Sequence, residues 1–232
     1  MTRTPILIGC AHGTQSVEGQ QTIRDLLDAI RVALPDVEVR EAYVDVHGPY
    51  LHDVIDDIPR AEEGLSAVVV PLLLAGGYHV YHDIAQAVEG RPDVVNAGAL
   101  GPDERLIGVV LDRLREAHVP HDTTLVLAAA GSSDQRSLAD TDAAAEQLRG
   151  AWEGPVRVGF AAGHDPSVAE SVRLAHEYGE DGRVVVASFL LAPGVFQKRL
   201  YEAGADVVTP PLAPHPDLVS IVLDRYSALA HG

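Results

Sequence analysis

Cysteine is nearly absent. The single Cys10 excludes an intrachain disulfide and fits a reducing compartment. Aromatic residues make up only 5% of the chain, so aliphatic side chains and alanine-rich helices must fill the core. Basic residues are also scarce, 17 against 34 acidic ones. The resulting formal charge of −17 argues against a general nucleic-acid or anionic-membrane surface. It suits a well-solvated protein, or one that handles metal cations. No apolar run reaches membrane-spanning length, and MTRTPILIG at the N-terminus reads as the start of a strand rather than a signal peptide. The expectation is a cytoplasmic protein with no membrane and no nucleic-acid partner.

What is present is organised around VVVPLLLAGGYHVYHDI, residues 68–84. Its first half is apolar without polar alternation, as in a strand buried on both faces of a parallel sheet. Gly76 and Gly77 break the run, and His79, His82 and Asp83 follow in a segment of helical character. Such a strand delivers imidazoles and a carboxylate to the carboxyl edge of a sheet, where open α/β folds keep their sites.

Around this stretch strands and helices alternate. Strands are predicted at residues 6–11, 37–46, 68–74 and 94–97, with helices at 16–34, after Gly48-Pro49, after residue 79 and after Pro102. After a linker at 118–122 the pattern starts again, with strands at 125–130, 156–161, 184–191 and 206–209 and helices at 140–148 and 216–229. Residues repeat as well as pattern. LLAGGYH from Leu73 aligns with LLAPGVF from Leu190, and His47 and Pro49 with His164 and Pro166, all 117 residues apart. VLDR occurs at Val110 and again at Val222, an offset of 112. The fold class predicted is α/β, with two homologous lobes at 1–117 and 118–232. Each lobe is expected to hold a four-stranded parallel sheet with helices on both faces, and the active-site cleft is expected between the lobes.

Three strand ends of the first lobe carry candidate metal ligands: His12 after the first, Asp45 in YVDVH at the end of the second, and His79 after the third. Imidazole suits iron, cobalt, nickel, copper and zinc, and a carboxylate adds charge. Two histidines and one carboxylate leave coordination positions open, as a site that takes up and releases metal requires. Each residue also has a plain structural reading. Asp45 could cap the next helix, and most of the 11 histidines must be ordinary surface residues. Cys10 reads as a small core hydrophobe. The second lobe has Ala130, Ala162 and Phe196 at the matching positions, so the centre should be single and confined to the first lobe.

His12-Gly13-Thr14, LLLAGGYHVYHDI and the duplicated lobe together resemble the sirohydrochlorin chelatases, the class II tetrapyrrole chelatases. The resemblance spans essentially the whole chain. It implies insertion of Fe2+ or Co2+, with Ni2+ in close relatives, into sirohydrochlorin on the routes to siroheme or cobalamin. The metal is a substrate and no organic cofactor is needed. The family's metal-binding histidines map onto His12 and His79, which would also be the catalytic pair, and an acidic partner maps onto Asp45. Gln15 departs from the Arg of many members, and Asp45 stands in place of a longer Glu. The substrate's carboxylates require local positive charge, and Arg136, Lys198 and Arg199 of the second lobe are the candidates, with Gly13 and Gly77 offering backbone. The chain is expected to act as a monomer or weak homodimer. The roles of His47, His52, His82 and His164 stay open.

Two other classes compete. Histidine phosphatases carry a strand followed by Arg-His-Gly, but Ala11 occupies the arginine position here. A non-catalytic metal or tetrapyrrole carrier would use the same ligands without turnover.

Overall fold

The computed structural model describes residues 4–77, 79–178 and 182–230, the side chains of 79–81 excepted. Among these residues eight strands alternate with eight α-helices. The first repeat runs β1 (Ile6–Ala11), α1 (Val17–Ala33), β2 (Val39–Tyr43), α2 (Leu51–Asp56) and β3 (Ala67–Pro71). A π-helical segment, His79–Ile84, then runs into α3 (Ala85–Val88), β4 (Val94–Asn96) and α4 (Glu104–Glu116). The second runs β5 (Thr124–Ala129), α5 (Gln135–Ala151), β6 (Val156–Phe160), α6 (Val168–Tyr178), β7 (Val184–Phe189), α7 (Val195–Tyr201), β8 (Val207–Val208) and α8 (Pro216–Ala230). The strands form two four-stranded sheets, ordered β2-β1-β3-β4 and β6-β5-β7-β8. All pairings are parallel, as the alternating elements predict. No helix among the described residues is long and apolar enough to cross a membrane.

The central strands explain themselves. Every residue of β1 and β3 is buried, so both faces are covered and polar alternation would be penalised. Ile6, Ile8, Cys10, Ala67 and Val69 face α2, packing with Leu51, Ile55 and Ile58. On the other face Gly9 leaves the space taken by the Leu27 side chain of α1. Helix α1 starts at Ser16, whose Oγ accepts from the Gly19 amide at 3.3 Å. Ile23, Leu26, Leu27 and Ile30 are its buried stripe. Each such side chain contributes roughly 1.5–3 kcal/mol on full burial. In the second repeat Val126, Ala128, Val184 and Val186 pack with Val168, Val172 and Ala175 of α6, a helix that the sequence pattern did not delineate.

The compact units differ from the division at 117/118. One unit comprises Met1–Gly101 with Pro214–Gly232, and the other Pro102–Ala213. The last helix of each repeat therefore belongs to the other repeat's unit. Helix α8 packs on α1 and β3, and α4 on α5 and β7. The duplicated VLDR motif makes the same tie twice. Arg225 donates to the carbonyls of Ala99 and Leu100 at 3.0 and 2.9 Å. Arg113 donates to those of Pro211 and Leu212 at 3.1 and 2.8 Å. The Tyr226 hydroxyl adds a bond to Pro5 O at 2.6 Å. Buried carbonyls at the ends of loops need donors, and these arginines supply them.

Candidate metal centre

Strand β1 lies at the middle of its sheet, so its carboxyl end has neighbours on both sides. Towards β2, the Val44 amide donates to Ala11 O at 3.1 Å and the Asp45 amide to His12 O at 3.0 Å. The ladder thus continues past the formal end of both strands, and His12 and Asp45 are held side by side through their backbones. Towards β3, Cys10 is in register with Pro71, and the Leu72 amide donates to Cys10 O at 2.8 Å. The chain from β3 reaches His79, which begins the π-helical segment. Single π turns are frequent at functional sites. The His79 side chain, and Tyr78 beside it, lie outside the described residues. Gly77, partly exposed, is the last described residue before them.

His12 is half-buried, with Nδ1 3.3 Å from Gly13 O. Asp45 is exposed, and its Oδ1 accepts from the Val46 amide at 2.7 Å. Gly13 has φ +103°, and a Cβ there would fall deep inside contact distance of Asp45 O. Glycine is required because the two turns touch backbone to backbone. Among the described residues no trio of His, Cys, Asp and Glu is gathered closely enough to hold a metal ion. Cys10 is fully buried, and burial pushes its thiol up to about 12, so it is a protonated core residue at neutral pH.

The basic candidates differ in their engagement. Arg136 forms a two-pronged pair with Asp134, at 3.0 and 2.7 Å. The same carboxylate caps α5 by accepting from the Arg136 amide, and this arginine holds it below the ordinary range. Arg199 donates to Ala161 O at 2.9 Å, with its guanidinium carbon 5.6 Å from the centre of the Phe196 ring. Lys198 is exposed and has no ion pair among the described residues.

His47 and Val46 carry no role predictable from the sequence pattern. The His47 ring packs on Tyr43, centroids 4.0 Å apart, and its Nδ1 lies 2.9 Å from Gly48 O. Its buried Nε2 has no hydrogen-bond partner among the described residues. His164 sits on Phe160 in the same way, at 5.0 Å. Val46, between Asp45 and His47, has a positive φ. Its repeat partner is a glycine, the one sequence signal that could have marked it.

Comparison with known proteins bears on this arrangement. The CbiX family model matches residues 6–117 and again residues 124–229. A search of curated proteins finds no match. Among solved structures, SirB from Bacillus subtilis with Fe3+ superposes with a TM-score of 0.77 at 20% identity, covering 98% of this chain and 96% of that one. SirB from Bacillus subtilis subspecies spizizenii in complex with cobalt gives 0.75 at 19%, covering 98% and 95%. CbiX, the terminal enzyme of siroheme biosynthesis in denitrifying bacteria, gives 0.70 at 19%, covering 96% and 98%. These structures share the fold. With its family model matching both repeats, the chain belongs to the CbiX family of sirohydrochlorin chelatases.

Proposed function

We propose that this protein inserts Fe2+ or Co2+ into sirohydrochlorin. The family match across both repeats carries this reading. The turn chemistry supports it: His12 is held beside Asp45 at the carboxyl edge of the first sheet. His12, His79 and Asp45 are the proposed ligands. Imidazole and carboxylate together suit a divalent first-row metal and leave positions for incoming pyrrole nitrogens.

Insertion exchanges one M2+ for two pyrrole N–H protons, so the site must pass two protons outward for each metal. A neutral imidazole can accept a proton near pH 7, and an exposed carboxylate such as Asp45 can hand it to water. Lys198 and Arg199 are the proposed contacts for substrate carboxylates, and the backbones of Gly13 and Gly77 are proposed as further substrate contacts. Arg136, already paired with Asp134, contributes less charge than an unpaired arginine would.

The test is turnover under anaerobic conditions. With tetrapyrrole and metal in tenfold excess over protein, the expected result is complete metallation of the excess. Metallation that stops at one equivalent per chain identifies a carrier instead of a catalyst.

A further inference from the structure

We propose that Val46 is a positioning residue of the candidate metal centre: its β-branched side chain, set beside the His12-Gly13 turn, limits the movement of the Asp45 turn, and the chain accepts backbone strain to place it there. The inference rests on the chelatase reading. Val46 has φ +67°. A β-branched side chain there crowds the backbone, and such residues are rare outliers. The turn is tight, because the His47 amide donates to Asp45 O at 2.8 Å across the single residue Val46. The Val46 amide donates to Asp45 Oδ1 at 2.7 Å, which ties the carboxylate to the turn. On its other side Val46 meets the histidine turn, since a Cβ on Gly13 would lie 3.2 Å from Val46 Cβ. One residue therefore touches both turns that carry candidate ligands. It is 39% exposed, so its packing contributes little to the core.

The second repeat supplies an internal control. Gly163 stands 117 residues after Val46 and has φ +69°. The neighbouring ladder is also matched: Ala162 N donates to Ala130 O at 2.9 Å, as Asp45 N does to His12 O at 3.0 Å. The fold thus asks for the same backbone at both positions. In the repeat with Ala130 and Ala162, glycine meets it without strain. In the repeat with His12 and Asp45, valine meets it at a cost. Backbone strain persists where the surroundings enforce it and clusters at functional sites.

The experiment compares Co2+ affinity by calorimetric titration, and melting temperature, for the full chain and for Val46→Gly, Val46→Asn and Val46→Ile. Glycine and asparagine both accept positive φ, and asparagine does so without glycine's extra freedom in the unfolded chain. Both are expected to raise the melting temperature, by about 2–4 °C for the asparagine variant. Both should also weaken Co2+ binding by about tenfold or more, as loss of an orienting neighbour does. Val46→Ile keeps the β-branch and should bind within about twofold of the parent. Stability and affinity moving in opposite directions is a result that a merely structural residue does not produce. Unchanged Co2+ affinity in the glycine and asparagine variants, or a lowered melting temperature in both, overturns the proposal while the chelatase reading stands. A parent chain that neither binds Co2+ nor metallates sirohydrochlorin overturns that reading and this one with it.

Discussion

Replacing Arg91 by alanine is expected to lower stability by about 3–5 kcal/mol, the scale of breaking a buried ion pair by removing one partner. Arg91 and Asp93 are only 6% and 7% exposed. The guanidinium meets both carboxylate oxygens at 3.0 Å. It also donates to Ile55 O at 2.6 Å and Ile58 O at 3.1 Å, closing the carboxyl end of α2. Asp93 accepts further bonds from Ser66 Oγ at 2.6 Å and the Ala61 amide at 3.3 Å. Truncation would leave a buried carboxylate without its counter-charge and two carbonyls without a donor, which is why the loss exceeds that of a surface pair. The sign with pH follows. Arg91 holds the Asp93 carboxyl well below the ordinary carboxylate range, with Ser66 and the Ala61 amide assisting. Its contribution is complete above the unfolded value near 3.8 and is lost as pH falls towards the depressed folded value. Urea unfolding at pH 7 and across the acid limb should show a destabilised Arg91→Ala variant with a flattened loss below pH ~4. A loss under about 1 kcal/mol at pH 7 contradicts the role given to the pair.

Gly13→Ala is expected to reduce kcat/KM for metal insertion by about a hundredfold or more, the scale of a 1 Å misplacement at a reacting centre. The added methyl meets Asp45 O, a backbone atom that cannot turn away, and φ +103° is itself unfavourable for alanine. The turns must part, and the Asp45 amide bond to His12 O is what they lose. Gly131→Ala is the matched control. It drives a methyl into Ala162 O at the equivalent place, with φ +88°. Both substitutions should destabilise by similar amounts, but Gly131→Ala should leave Co2+ affinity within about twofold of the parent while Gly13→Ala weakens it, because the second repeat carries no proposed metal ligand. Equal losses of Co2+ affinity in the two variants would mean that the glycine turns serve folding alone.

Much of this architecture was legible in the chain. Strands β1 and β3 announce themselves because both faces are buried, and the 117-residue offset marks the duplication. The exchange of final helices was not legible. The stripe of Leu106, Val109, Val110 and Leu114 on α4 fits either sheet, and sequence similarity records which residues match rather than which surface they cover. Val44 and Val46 have strand-like side chains, so the sequence pattern carries β2 to residue 46, but the strand ends at Tyr43 and the positive φ of Val46 turns the chain back. The π character of the His79 segment changes hydrogen bonding without altering the apolar pattern, so periodicity sees only a helix. The pairing of Arg136 was written in the sequence as SSDQR, where Asp134 is both the cap of α5 and the arginine's nearest counter-charge.

The central claim is that His12 and His79 bring a divalent metal to a tetrapyrrole. Its most direct test is anaerobic absorbance spectroscopy of sirohydrochlorin with Co2+ or Fe2+, comparing the parent chain with the His12→Ala, His79→Ala double variant. The account predicts accelerated conversion to the metallated spectrum by the parent, and a return to the uncatalysed rate in the variant. A parent no faster than the protein-free reaction, or a double variant as fast as the parent, would contradict it.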